Sequence, residues 1–375
     1  MTRTIIDVHA LQTVPPSNLN RDDTGSPKTA VYGGKTRARV SSQAWKRAIR
    51  KHFREETDSI DNGDLGRRTL EIVDTLAERI TKLDSSLAEN AVSLANEAFK
   101  AAGIATKVKT KKGQDPKPPV SDYLIFLSNR QYDKLAEAIV AGEQSGDKPT
   151  KKALKDIIKD DHSIDIALFG RMVADMPDVN VDASCQVAHA LSVHEVANEF
   201  DYYTAVDDTK EDAAETGAGM IGTLEFNSST LYRYATVDVD LLRDNLGDDV
   251  ATTRAVVAFV ESFAKSMPSG KKNSFANGTL PDTLVVSIRD SQAINYVGAF
   301  ERPVKDGELS RLDQATKTMG RYAEKLAESY DMHPQASWYL HTGDVEGAKA
   351  FGEKLSLPQL LGRLEEAVSQ RVGQE

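Results

Sequence analysis

Residues 57–161 form a run that is helical in pattern and dense in charge, and strand-like sequence lies on both sides of it. A helical block bounded in this way restricts the chain to a sheet-containing domain that carries a large helical insertion. Before the block, residues 4–11 (TIIDVHAL) read as a strand with Ile6, Val8 and Ala10 on one face. A loop over residues 12–32, rich in Pro, Asn, Asp and Ser, separates it from a second extended piece at 35–40. Ser41 or Ser42 then caps a helix running to about Phe53. Ala44, Trp45, Ala48, Ile49 and Phe53 make its apolar stripe, with Lys46, Arg47, Arg50, Lys51 and Arg54 opposite.

Within the block, residues 68–83 and 87–102 read as amphipathic helices and 151–159 as a helix with a lysine face. Residues 106–119 (TKVKTKKGQDPKPP) have no core-forming pattern and read as a flexible basic loop. Strand-like sequence returns at 164–171 (IDIALFGR) and 183–196. Residues 200–224 are Gly-rich and acid-rich, which suits a protruding hairpin. A strand at 226–239, a helix at 250–266, a strand at 283–289 and helices at 309–330 and 357–372 complete the chain. The order predicts an α+β fold of the RRM or ferredoxin-like type with two excursions. The RNP signature of a stand-alone RRM is absent, so base stacking on the sheet face is not expected.

The 375 residues carry 40% hydrophobic and 28% charged side chains, an ordinary core-forming balance. No apolar run approaches bilayer length and residues 1–11 lack a signal core, so the chain reads as cytoplasmic, without a membrane partner. The single cysteine, Cys185, excludes an intramolecular disulfide and a multi-cysteine zinc site. A net charge of -10 argues against general affinity for nucleic acid, but the charge is segregated. Up to Arg54 there are eleven Lys and Arg against Asp7, Asp22 and Asp23, a local balance of about +8. The compensating acid lies notably at 207–215, so the pattern is a basic face on an acidic body.

Gly33-Gly34-Lys35 and the basic helix offer backbone N–H groups, hydroxyls and cations to a phosphate, although a solvated charged face explains the spacing equally well. Trp45, at helical spacing with Ile49 and Phe53, belongs in a core rather than on a stacking platform. Gly217–Gly222 spells GxGxxG but lacks the preceding hydrophobic strand and following helix of a dinucleotide site; its glycines suit a tight hairpin bend. No cofactor is expected. The seven histidines show no ligand spacing, so no metal site is expected. Asp22 and Asp23 beside His9 raise an alternative, a metal-dependent RNA-cleaving subunit, against which adjacent acids in a turn are more often structural caps. A monomeric RNA chaperone would leave the long insertion and the hairpin unexplained.

Several separated motifs carry a resemblance. Leu19-Asn20-Arg21-Asp22-Asp23, Tyr32-Gly33-Gly34-Lys35 and Arg39-Val40-Ser41-Ser42-Gln43 with Lys46-Arg47-Ala48 stand in the first part. Asp165–Met172, Tyr202–Asp208 and Leu231–Ala235 follow in the same order. Together they resemble CasC, the repeated backbone subunit of the type I-E CRISPR Cascade complex, with only a loose match over the last hundred residues. The resemblance implies an RRM-like palm, a helical fingers insertion and a β-hairpin thumb. The expected bounds are 1–57, 164–199 and 224–375 for the palm with its C-terminal helices, 58–163 for the fingers and 200–223 for the thumb.

It further implies a non-catalytic subunit that polymerises along guide RNA (crRNA) and presents it for pairing with target DNA. Its partners are then further copies of itself and the large, small, crRNA-capping and crRNA-processing subunits. Arg21, Lys28, Ser41, Gln43, Lys46 and Arg50 match positions that grip the guide backbone in that family, and Gly34 and Lys35 join them from the turn read as a phosphate cradle. Met172 matches a position where that family sets a methionine against a kinked nucleotide, and Tyr202, Tyr203 and Thr204, at the base of the excursion, read as its companions because an aromatic face stacks on any base. Adjacent strand residues face opposite ways, so one tyrosine is expected to pack on the palm and the other to meet RNA. Lys148, Lys151, Lys152 and Lys155 match its contact to target DNA, against a bland reading as solubilising charge paired along the helix.

Overall fold

The computed structural model describes residues 3–57, 60–108, 117–173, 176–205, 220–305, 307–344 and 346–373. The chain divides into two compact units. The first comprises Met1–His52, Val187–Thr236 and Phe259–Ala367. It is built on strands β1 (Ile5–Ser17), β2 (Thr29–Tyr32), β3 (Lys35–Val40), β4 (Ala190–Ser192), β5 (Glu199–Ala205), β6 (Met220–Asp238), β7 (Thr283–Arg289), β8 (Ala336–His341) and β9 (Glu353–Lys354). Helices α1 (Ser42–Glu55), α2 (Asp249–Lys265), α3 (Arg311–Tyr330) and α4 (Leu357–Val372) complete the labelled elements.

The main path of the sheet runs β9-β8-β7-β1-β6-β4-β3-β2, and β5 pairs antiparallel with β6. β1 and β7 pair antiparallel from Ile5 opposite Arg289 to Leu11 opposite Thr283. Both strands are buried on both faces where they pair, so the single-face alternation expected for β1 is replaced by continuous burial. β1 also continues past Leu11 to Ser17, where a loop was expected. Gln12 is buried there because its amide donates to the Thr279 carbonyl (2.8 Å) and accepts from Arg233 (2.7 Å).

One face of the sheet packs on α1 and α2. The guanidinium of Arg233 on β6 lies 3.6 Å from the Trp45 ring centroid and 4.3 Å from that of Phe263, and donates to the Phe263 carbonyl at 2.5 Å. Burial lowers its pKa to about 9, and the two ring faces and two acceptors compensate the lost hydration. Trp45 is therefore core, as its spacing indicated. The opposite face is covered by α3 and Tyr296–Phe300, which pack with Leu11, Tyr232, Tyr234, Val285 and Tyr339. That face is thereby closed to bases, in keeping with the missing RNP signature.

The second unit comprises Phe53–Gln186, Val237–Ala258 and Val368–Glu375. Helices Ile72–Leu83, Ala91–Ala102, Asn129–Ser145 and Lys151–Lys159 bury one continuous apolar core. A capping box starts the third: Ser128 accepts from the Gln131 N–H while the Gln131 side chain takes the Ser128 N–H. Two strands that helical periodicity concealed, Gly66–Thr69 and Ile125–Ser128, pair antiparallel within this unit. The ends of the basic loop pair as well, Thr106–Lys107 with Val120–Ser121. Its residues 109–116 lie outside the described residues, as do 206–219 with the acidic run and the first half of the GxGxxG sequence.

The strand expected at residues 164–171 is a helix, Ile164–Phe169. A six-residue apolar run fits either period; here Asp165, fully buried, decides by accepting from the Gly66 N–H (2.8 Å) and the Ser163 hydroxyl (2.7 Å). The second unit accordingly extends to Gln186, whereas the sequence placed the return to sheet structure at 164.

Candidate nucleic-acid interface

The basic N-terminal segment is organised by four asparagines and an aspartate. Asp22 accepts from the Thr24 N–H (2.9 Å), the Thr24 hydroxyl (2.7 Å) and the Ser26 N–H (3.0 Å). These bonds, led by the Thr24 hydroxyl, hold its carboxyl below the usual range. They close residues 22–26 into a tight loop whose neck is a bridge between Arg21 and Pro27. Asn18, fully buried, ties this loop inward by donating to the carbonyls of Gly25 (3.0 Å) and Glu225 (2.9 Å). Asn198 in turn donates to the Glu225 carboxylate (3.1 Å) and accepts from Asn227 (3.0 Å) at the root of β6.

Just beyond the neck, the Asn20 carbonyl accepts the Lys28 N–H (2.8 Å) and the Lys28 carbonyl accepts the Arg39 N–H (2.9 Å). The Asn20 side chain accepts the Ser41 N–H at 2.9 Å. Arg21 and Lys28 are thus fastened beside the N-terminus of α1, where the helix dipole and open N–H groups favour an anion. Ser41 itself is buried and its hydroxyl caps the helix by accepting from the Ala44 N–H (3.3 Å). Its contribution is therefore to shape the helix start. Gln43 is exposed in the first turn, and Lys46 and Arg50 follow as half-buried residues on the same helix.

The β2–β3 turn places Gly33 and Gly34 at φ +58° and +74°, a two-residue hairpin that only glycine enters without strain. A Cβ on Gly33 would lie 1.8 Å from the Glu301 carbonyl oxygen, whereas Gly34 faces open space. Gly34 is thus the half of the pair that can approach a ligand. Lys35 is exposed but ion-paired with Glu195 at 3.1 Å. Arg37 is removed from the basic face altogether. It is fully buried and donates to the carbonyls of Ser192 (2.8 Å), Phe300 (2.9 Å) and Glu301 (3.2 Å). Counting charge along the sequence had included it.

Tyr202, Tyr203 and Thr204 lie on β5, paired with Thr223, Gly222 and Ile221 of β6. Both tyrosines are exposed, Tyr202 at 63% and Tyr203 at 44%, so the expected packing of one on the core does not occur. Tyr203 is covered in another way. A Cβ on Gly222 would meet its ring at 2.5 Å, so the ring lies directly across the glycine on the neighbouring strand.

The remaining candidates belong to the second unit. Met172 is 83% exposed beside Arg171, whose buried guanidinium donates to the carbonyls of Val179 and Ile158, both at 2.9 Å. Lys148 pairs with Glu97 (3.1 Å), and Lys155 and Lys159 pair with Asp178 (3.1 and 3.4 Å). Lys151 and Lys152 are exposed in the first turn of their helix and make no ion pair among the described residues. The acid partners are thus Glu97 and Asp178, and the in-helix acids the bland reading favoured do not serve.

His9 and Asp22 do not form a site. His9 is fully buried, its ring stacked 4.1 Å from Tyr296 and its Nδ1 2.9 Å from the Tyr232 hydroxyl, while Asp22 is exposed and its Oδ1 accepts three bonds within its own loop. Among the described residues no group of three or more His, Cys, Asp and Glu is placed to hold a metal ion. No helix among them is long and apolar enough to cross a membrane. Of the organising residues, sequence reasoning named neither Asn18 nor Asn20 as functional. Their only signal was position, next to Arg21 in a loop rich in Asn and Asp.

Comparison with known proteins bears on the whole chain. The family model for CT1975-like protein matches residues 6–367. A solved chain of a CRISPR RNA-guided surveillance complex described as pre-nicking is similar at 34% identity and a TM-score of 0.83, over 97% of this chain and 100% of that one. A chain from another structure of a CRISPR RNA-guided surveillance complex is similar at 30% identity and a TM-score of 0.73, over 97% and 99%. No curated relative matches.

Proposed function

The chain belongs to the CT1975-like protein family, and from that membership we propose that it is a non-catalytic, guide-RNA-binding backbone subunit of a type I-E CRISPR surveillance complex. One observation carries the proposal: nearly the whole chain, sheet unit and helical unit alike, is matched by chains of RNA-guided surveillance complexes. Such a complex needs a protein that grips any guide, and the Asn20-centred neck with α1 offers cations and N–H groups to phosphate without reading bases.

The sheet unit is the palm. Its strand order β7-β1-β6-β4, with α1 lying between β1 and β4 in sequence and α2 between β6 and β7, is the arrangement of a ferredoxin-like or RRM sheet and supports that assignment. The helical unit is the fingers, and the β5–β6 excursion is the thumb. Arg21, Lys28, Gly34, Gln43, Lys46 and Arg50 hold the guide backbone by charge and hydrogen bonds. Tyr202, Tyr203 and Thr204 of the sheet unit wedge a displaced nucleotide, because an aromatic side chain stacks on any base; Met172 of the helical unit independently offers a flexible thioether to a base. Breaking the duplex into short segments lets guide and target pair without winding fully round each other. Further copies continue the filament, the other Cascade subunits cap and process it, and target DNA meets Lys151 and Lys152 on the fingers.

Asp22 accepts three bonds within its own loop at Oδ1, the pattern of a turn cap, which supports a role in shape and not in cleavage. Co-expression with a guide precursor, followed by purification and sizing of the bound RNA, tests the proposal. RNA of one uniform length supports it; no RNA, or fragments of random length, contradicts it.

A further inference from the structure

Three basic groups outside the family-matched set, or only partly within it, converge on one face of the sheet edge. Arg39 stands opposite Leu191 in the β3–β4 register, and His189 lies two residues before Leu191 on the same strand face. Lys28 joins them across β2, since its carbonyl takes the Arg39 N–H and the next pair in register is Thr29 with Ala38. Arg39 is oriented by two bonds, from Nε to the Thr29 carbonyl (3.2 Å) and from Nη1 to Nδ1 of His189 (3.2 Å). A guanidinium only donates, so Nδ1 of His189 must carry its lone pair and the ring proton sits on Nε2. The imidazole is exposed, neutral and presents an N–H donor beside two cations.

We propose that Lys28, Arg39 and His189 form one anion subsite that holds a single phosphodiester of the bound strand, with His189 as its titratable member. The inference rests on the RNA-binding reading and deepens it. The surroundings of His189 disfavour its charged form, its pKa lowered by burial first and then by Arg39 and Lys28. Among the described residues these two cations, one on β3 and one leading into β2, are the charged groups acting on it, and no carboxylate offsets them. A phosphate placed among the three supplies the missing negative charge and favours the imidazolium. Protonation at Nδ1 also ends its acceptance from Arg39, which frees Nη1 to turn onto the same phosphate. RNA binding therefore takes up a proton from solvent, and affinity rises as pH falls.

The test uses the full-length protein and a labelled single-stranded RNA of mixed sequence, titrated at constant ionic strength between pH 8 and pH 5.5. The wild type should bind about 3- to 10-fold tighter at pH 6 than at pH 8, the range available to one histidine titrating there. His189→Gln should remove that dependence and stay near the wild type's pH 8 affinity. His189→Lys, with a permanent charge, should bind tightly at both ends with no pH profile. A flat wild-type profile, or a His189→Gln profile that still slopes like the wild type, overturns the subsite while RNA binding itself stands. Absence of RNA binding at every pH overturns the RNA-binding reading along with it.

Discussion

The side-chain oxygen of Asn20 accepts the backbone N–H of Ser41 at 2.9 Å, and the main-chain carbonyl of the same residue accepts the N–H of Lys28 at 2.8 Å. One half-buried residue thereby sets both the start of α1 and the position of the cationic neck. Asn20→Ala removes the first bond and should cost about 1–2 kcal/mol in urea unfolding. Asn20→Asp keeps the acceptor, so it should recover most of that stability while still weakening RNA binding through its negative charge. An alanine variant as stable as wild type would show that the bond does not organise the neck.

Phosphate neutralisation predicts uniform losses. Arg21→Ala and Lys46→Ala should each weaken binding to unrelated single-stranded RNAs by the same factor and lower the salt slope by about 0.7. Titrations at several salt concentrations with two unrelated sequences check this. A change of sequence preference in either variant would assign that residue to base contact.

The two glycines of the β2–β3 turn should separate sharply. Gly33→Ala drives a Cβ to 1.8 Å from the Glu301 oxygen at φ +58°, and should cost about 3 kcal/mol or more. Gly34→Ala, at φ +74° with open space around it, should cost only about 1–2 kcal/mol of backbone strain. Equal losses in denaturant titrations would mean that the turn is not seated on Glu301.

His162 gives the helical unit a pH dependence. Burial first, then Arg171, pushes its pKa down to about 4 from an ordinary 6.5. Between these values the unfolded chain binds a proton that the folded chain refuses, so stability rises with pH across the window. The wild type should hold this contribution above pH 6.5 and lose it as pH falls toward 4; its ring bonds Gln131 (3.4 Å), and Asp160 and Asp161 offset only part of the burial. His162→Gln should show a smaller drop in urea midpoint between pH 7.5 and pH 5; an identical drop would contradict the assignment.

Where neighbours in sequence decide the structure, the sequence was legible. Lys35–Val40, Lys151–Lys159, Thr283–Arg289 and Leu357–Val372 have the bounds their periodicity predicts. Thr150 and the lysine face mark one, and a segment rich in β-branched residues marks another. Ile164–Phe169 was misread because a short apolar run carries no period and its arbiter, Asp165, binds Gly66 far up the chain. Gly66–Thr69 and Ile125–Ser128 were missed for the same reason, since each is a strand only by virtue of the other. In the candidate site, Arg37 counted toward the basic segment's charge, yet carbonyls from residues 192, 300 and 301 bury it.

The thumb tyrosines are expected to contribute unequally. Tyr203 already lies across Gly222, whereas Tyr202 is the more exposed. Tyr202→Ala should therefore cost about 1–3 kcal/mol of RNA affinity, the worth of one base stack, and Tyr203→Ala less. The reverse order in binding titrations would make Tyr203 the stacking face.

The central claim is polymerisation along the guide, and the mass of assemblies formed on RNAs of increasing length tests it most directly. Protein mixed with single-stranded RNAs that lengthen by a few nucleotides at a time should give complexes whose protomer number rises in regular steps, and removal of residues 207–222 should abolish the steps. One protomer per RNA at every length, or regular steps from the shortened protein, would contradict it.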